Sequence, residues 1–197
     1  MKIPKICLLF CIISLNSFTT PTKYIITGPP GGGKTMLTLG LEIYHGFDVI
    51  REAATDIIAL ELAQQIQEPW LDKNFDAKIL ALQMKRFTQT NKTNIPLLCD
   101  RSPIDIYAYC EFHNTPLPDY INEHITTMLN DPQLSKTVLF VENLGSIQRT
   151  AIRAETLEEA KKIEALLYKY YTFFGFTVIR IPALPLKQRI AFVLAHL

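Results

Sequence analysis

The sequence predicts a three-layer α/β domain, a five-stranded parallel sheet with helices on both faces. Three observations carry that expectation. Strand-like apolar runs alternate with helical patterns from about residue 23 to the end of the chain. Several runs, such as Ile95 to Cys99 and Thr137 to Val141, lack alternation of polar and apolar residues, as strands covered on both faces do. No repeat, low-complexity stretch or linker divides the chain. Its 197 residues, 48% apolar and 20% charged, suit one domain with a sizeable core.

Taken in order, Tyr24-Ile25-Ile26 is the first strand and Met36 to Tyr44 the first helix. Gly46 terminates that helix and leads into a second strand, Phe47 to Ile50. Residues 55–69 and 75–90 read as helices. In the latter, Ile79, Leu80, Gln83, Met84 and Phe87 keep the 3-and-4 spacing of a buried face. The third strand is Ile95 to Cys99. Helices Ile104–His113 and Tyr120–Leu129 follow, separated by Pro116 and Pro118. Thr137 to Val141 is the fourth strand. Glu155 to Phe174 is a long helix with Leu157, Ala160, Ile163, Leu167, Tyr170 and Phe174 on one side, ended by Gly175. Phe176 to Ile181 is the fifth strand and Leu186 to Leu197 the last helix. Right-handed crossovers place these helices on both sides of the sheet.

Between the first strand and the first helix lies Gly28-Pro29-Pro30-Gly31-Gly32-Gly33-Lys34-Thr35, a full match to G-x-x-x-x-G-K-[ST]. Strand, loop and helix in that order are the context this phosphate-binding motif requires. Backbone N–H groups of such a loop point inward around a phosphate, and the helix that follows adds the positive end of its dipole. Lys34 would reach the β- and γ-phosphates of ATP, and the Thr35 hydroxyl would bind Mg²⁺. Residues 21–197 therefore read as a P-loop NTPase or kinase domain.

Ligands in open parallel sheets bind beyond the carboxyl ends of the strands. Arg51-Glu52 follows the second strand, Asp100-Arg101-Ser102 the third, and Arg149 and Arg153, spaced i, i+4, the fourth. Asp100 is placed to orient Mg²⁺ together with Thr35. Arg101, Arg149 and Arg153 are candidates to neutralise a transferring phosphoryl group, a role worth about 10³–10⁵ in rate elsewhere. Glu52 is a candidate base for an attacking hydroxyl. Each has a plainer alternative: Asp100 as a helix cap, Glu52 as a surface charge, the arginine pair as a solvated helix face. Trp70, Phe87, Tyr107 and Tyr109 are open to two readings, core packing or stacking on a base.

The formal net charge of +1 gives no field for nucleic-acid binding. Cys7, Cys11, Cys99 and Cys110 form no C-x-x-C pair, and the four histidines are scattered, so no metal-ligand pattern exists. Cys99 and Cys110 read as packed thiols. Residues 1–20 carry Lys2 and Lys5 before the apolar run Ile6 to Leu15 and a polar tail, the layout of a secretory signal peptide. The run is too short for a stable membrane span. A nucleotide loop argues for a cytoplasmic protein, so these residues read either as a spurious N-terminal extension or as a true leader for export or anchoring.

The chain resembles the P-loop ATPase/kinase module of the NadR-type AAA domain family, which includes the ribosylnicotinamide kinase half of the bacterial NadR protein. It is more distantly similar to deoxynucleoside and thymidylate kinases. The likeness rests on Thr27 to Thr35, Arg51-Glu52-Ala53-Ala54, Asp100 to Asp105 with Tyr107 and Tyr109, and Arg149-Thr150 with Arg153. It continues in Thr156 to Ala160, Ile181-Pro182 and Arg189 to Val193. It implies that Glu52 is the substrate-side carboxylate and that Arg149 and Arg153 belong to a mobile lid. Ala151 departs from the acidic residue often found after the arginine-threonine pair. Two functions follow as expectations. One is an ATP-dependent kinase acting on a small, hydroxylated, nucleoside-like acceptor. The other is a regulatory nucleotide switch acting through a macromolecular partner. The acceptor and the oligomeric state stay open.

Overall fold

The computed structural model describes residues 23–88, 95–146 and 155–197. Strands β1 (Lys23–Thr27), β2 (Asp48–Ile50), β3 (Leu97–Asp100), β4 (Leu134–Val141) and β5 (Thr177–Ile181) form one parallel sheet in the order β2-β3-β1-β4-β5. Helices α1 (Lys34–His45), α2 (Ala53–Ala63), α3 (Phe75–Phe87), α4 (Pro103–His113), α5 (Ile121–Leu129), α6 (Leu157–Phe173) and α7 (Leu186–Leu194) connect and cover it.

Successive strand side chains leave the sheet on opposite faces. Ile25, Cys99, Val138 and Phe140 meet Leu80, Met84, Ile104, Ile163 and Leu167 of the α3–α6 layer. Ile26, Leu98, Leu139 and Val141 meet Leu37 and Leu41 of α1 and Ile190 and Val193 of α7. Both faces are therefore buried, which is why the strands lack alternation. Cys99 and Cys110 are buried free thiols.

Several element boundaries differ from the sequence reading, and those around α2 and β3 have local reasons. The second helix starts at Ala53 and stops at Ala63 instead of running from 55 to 69. Gln65 adopts φ 68° and Pro69 opens a separate 3-10 turn, Pro69–Leu71; proline has no N–H and disfavours a helical predecessor. The third strand starts at Leu97 rather than Ile95, because Pro96 supplies only its carbonyl, which accepts from Asp48 N at 3.0 Å. The fourth begins at Leu134, three residues early. On α6, Tyr170 and Phe174 are only partly buried, whereas Tyr171 is fully enclosed.

The connection after β1 crosses to β2 on one side, and the connection after β3 crosses to β4 on the other. Neighbouring strands β1 and β3 thus send their chains opposite ways, and the crevice beyond their carboxyl ends is the topological switch point. Among the described residues no helix is long and apolar enough to cross a membrane.

Candidate functional site

The loop from Gly28 to Thr35 occupies that switch point. Gly28 has φ 140°, and a side chain there would run into the Val141 carbonyl oxygen on β4. Gly33 stands at the N-cap of α1 in the left-handed region (φ 76°), so no side chain caps the helix and its first N–H groups stay available to an anion. Lys34 is 6% exposed. Its ammonium donates to the carbonyls of Gly28 (2.9 Å) and Pro29 (3.0 Å), lying within the cradle where a phosphate would otherwise neutralise it. Burial, helped by the nearby Arg101 charge, brings its pKa down to about 8, against the opposing pull of Asp100 and Glu52. Thr35 is exposed at the rim.

Asp100 ends β3, level with Ile26 of β1, and is 4% exposed. Its Oδ1 is buried and has no hydrogen-bond partner among the described residues. Burial first, then the Glu52 charge, push its carboxyl up to about 7, while Lys34 and Arg101 work against the rise. A buried carboxylate oxygen without a donor fits a hard cation such as Mg²⁺, which takes one or two protein oxygens and completes its shell with phosphate and water. No group of three or more His, Cys, Asp or Glu suited to a metal occurs among the described residues. Asp100 does not cap α4; Ser102 does, in a capping box with Asp105.

Arg101 adopts a left-handed backbone (φ 69°), a strained conformation for a non-glycine residue of the kind that gathers at functional sites. Its N–H donates to Ile26 O at 2.9 Å. Its guanidinium donates to Glu52 Oε1 (2.6 Å), Asp105 Oδ1 (2.9 Å) and the Tyr109 hydroxyl (3.1 Å). Burial works against its charge, yet Glu52, Tyr109 and Asp105 outweigh it and hold the pKa above the ordinary arginine value. The guanidinium is thus engaged with Glu52, Asp105 and Tyr109 while its charge is also felt at Lys34.

Behind this pair lies a fully buried polar network. Asp105 accepts from the Thr27 hydroxyl (2.7 Å) and Ser102 N (3.1 Å), and from the Tyr171 hydroxyl (2.6 Å), which also bonds Ser102 Oγ (2.7 Å). Gln83 of α3 accepts from Ala53 N (3.2 Å) and donates to Arg101 O (3.3 Å), tying the start of α2 to the end of β3. Arg86 donates to the carbonyls of Arg51 (3.0 Å) and Glu52 (3.3 Å).

The fold thus brings Gly28 to Thr35, Glu52, Asp100 and Arg101 to one rim. Arg149 and Arg153 lie outside the described residues. Sequence reasoning put Gln83 on a buried helix face and cited Asp105 only within the family resemblance, with no site role for either or for Tyr171; the Ser102–Asp105 capping spacing offered a further signal. Arg189 of α7, likewise cited only within the resemblance, donates to Gly32 O at 2.8 Å. Of the four aromatics, Phe87 is core and Tyr107 packs on Tyr170 and Phe174. Tyr109 lies under Arg101 and Trp70 is exposed. A cavity of about 440 Å³ between α1 and α7, lined by Tyr44, Leu186, Ile190 and Leu194 among others, lies on the flank, away from the carboxylates.

Solved structures with a similar architecture include a deoxyadenosine kinase, a thymidylate kinase and the NadR protein. Deoxyadenosine kinase from M. mycoides with bound dATP superposes with a TM-score of 0.62 at 15% identity, over 88% of this chain and 98% of that one. Thymidylate kinase from Ehrlichia chaffeensis gives 0.58 at 13%, over 90% and 99%. The NadR protein in complex with NAD and AMP-PNP gives 0.57 at 16%, over 82% of this chain and 44% of that longer one. At these identities the likeness establishes the fold alone, a five-stranded parallel sheet with helices on both faces. No curated protein shows significant sequence similarity to the chain. A family model described as an AAA domain matches residues 23–189. This chain belongs to that AAA domain family.

Proposed function

We propose that this protein is an ATP-dependent kinase that phosphorylates a small, hydroxylated, nucleoside-like acceptor, with residues 21–197 as its catalytic domain. The observation that carries the reading is Glu52, held by Arg101 at 2.6 Å on the same rim as the phosphate loop and the unpartnered Asp100 oxygen. The adenine nucleotides in two of the superposed structures, dATP and AMP-PNP, support ATP as donor. Use of ATP implies a cytoplasmic site of action.

In this reading Lys34 exchanges its two loop carbonyls for the β- and γ-phosphates, so the charge that burial disfavours gains a counter-charge. Thr35 and Asp100 would hold Mg²⁺, which supplies charge neutralisation on the phosphates. Glu52 accepts the proton of the acceptor hydroxyl as its oxygen bonds to the γ-phosphorus and the bond to the β,γ-bridging oxygen breaks, leaving ADP. Arg101 holds Glu52 in place beside the crevice. Arg149 and Arg153 are proposed to close over the transferring group.

Glu52→Gln tests the assignment. It should lower turnover about 10²–10⁴-fold while the affinity for Mg·ATP, measured by calorimetric titration, changes little. Full turnover in this variant on an acceptor that the wild type phosphorylates would remove Glu52 from the base role.

A further inference from the structure

The phosphate loop touches a second buried cation besides Lys34. Arg189 comes from α7, at the other end of the chain, and is 3% exposed. One guanidinium nitrogen donates to Gly32 O at 2.8 Å. Another lies 2.9 Å from the point where a Gly33 side chain would begin, so the group packs against the loop. Its Nε is buried without a hydrogen-bond partner, and no carboxylate pairs with it among the described residues. Burial alone displaces its pKa, downward; no neighbouring charge offsets it.

A buried arginine without an anion is an expensive arrangement. Every other strongly buried cation in the described residues has one: Lys23 pairs with Asp131, Arg101 with Glu52 and Asp105, and Lys34 feels Asp100 and Glu52. Two features show what the arrangement accomplishes. A phosphate cradle needs its N–H groups inward, and a loop carbonyl turned into the protein then requires a donor. Arg189 supplies that donor at Gly32. It also leaves a positive charge in contact with the loop at Gly32 and Gly33.

We infer that Arg189 is a nucleotide-binding residue whose counter-ion is the polyphosphate of the bound nucleotide, acting through the loop that it braces. It is a positioning residue, since the loop lies between it and the phosphate. The inference rests on the proposed use of the loop for a nucleotide and adds a determinant that binds phosphate rather than base. A unit charge at this depth, screened as in protein interiors, corresponds to roughly ten- to hundredfold in affinity.

Calorimetric titration of the full-length wild type with Mg·ATP and with Mg·tripolyphosphate, beside Arg189→Met, Arg189→Gln and Arg189→Lys, tests it. Arg189→Met should weaken both ligands by the same factor, about tenfold or more. Arg189→Gln keeps a donor but no charge and should bind nearly as weakly, whereas Arg189→Lys should stay within a few-fold of wild type. The glutamine and lysine variants decide the matter even if the methionine variant fails to fold. Equal binding by Arg189→Gln and wild type, with only a lower unfolding temperature, would make Arg189 a structural strut and overturn the inference. A wild type that binds neither ligand would instead sink the nucleotide reading itself.

Discussion

The two halves of the candidate site are built in different materials. The phosphate-loop half, Gly28 to Thr35, is mostly backbone: positive-φ glycines, an uncapped helix start and one lysine folded onto two carbonyls. The Glu52–Arg101 half is side chain on side chain. Glu52, Arg101, Asp105, Tyr109 and Tyr171 come from four separate segments and satisfy one another in a largely buried network. A backbone cradle tolerates variation in most of its side chains and binds a ligand common to many proteins. A side-chain network is specific and fails as a unit.

The difference can be broken from either side. Lys34→Ala leaves the Glu52–Arg101 network intact and should cost about 10²–10³-fold in turnover, the range for removing one preorganised charge-stabilising donor. The check is steady-state phosphotransfer, with circular dichroism showing the fold retained. Asp105→Ala attacks the other half. It strips Arg101 of one of its two carboxylates and leaves Thr27 and Tyr171 without their acceptor, so it should destabilise the fold by about 3–5 kcal/mol. Urea unfolding would measure that, and an undiminished midpoint would show the network to be dispensable. Tyr171→Phe removes only the hydroxyl bonded to Asp105 and Ser102 and should cost about 1–3 kcal/mol.

The same contrast explains what was legible in the sequence. The loop could be read because its chemistry lies in consecutive residues whose spacing is the function. The strands could be read because burial on both faces leaves an unbroken apolar run, as in Leu97 to Cys99. Tyr171 could not. On a helical wheel it stands beside Tyr170, and only the hydroxyls of Ser102 and Asp105's carboxylate, some 66 to 69 residues away, select it for the interior. A site role for Arg189 escaped for the same reason, since its partner Gly32 is 157 residues distant. The end of α2 was missed because Gln65 takes the left-handed turn without being glycine.

A smaller effect, in pH, sharpens the comparison at the boundary between the halves. Asp100 holds its proton to about pH 7 in the fold against an ordinary 3.8. Between roughly pH 4 and 7 the folded chain therefore binds more protons than the unfolded one, and its stability falls as pH rises. Lys34, lowered from 10.5 to about 8, contributes stability at high pH that is lost as pH falls toward 8. Without nucleotide, the unfolding midpoint of the wild type should thus decline from pH 5 to 7.5 more steeply than that of Asp100→Asn. Parallel profiles for the two proteins would show that the Asp100 carboxyl titrates normally.

The most direct measurement follows the label of γ-³²P-ATP in multiple-turnover incubations with nucleosides and other small hydroxylated compounds. A kinase should place the label on one acceptor class, in an amount exceeding the protein many times over, and Lys34→Ala should not. Release of the label only as inorganic phosphate, at a rate indifferent to every acceptor, would contradict the assignment and leave a nucleotide switch in its place.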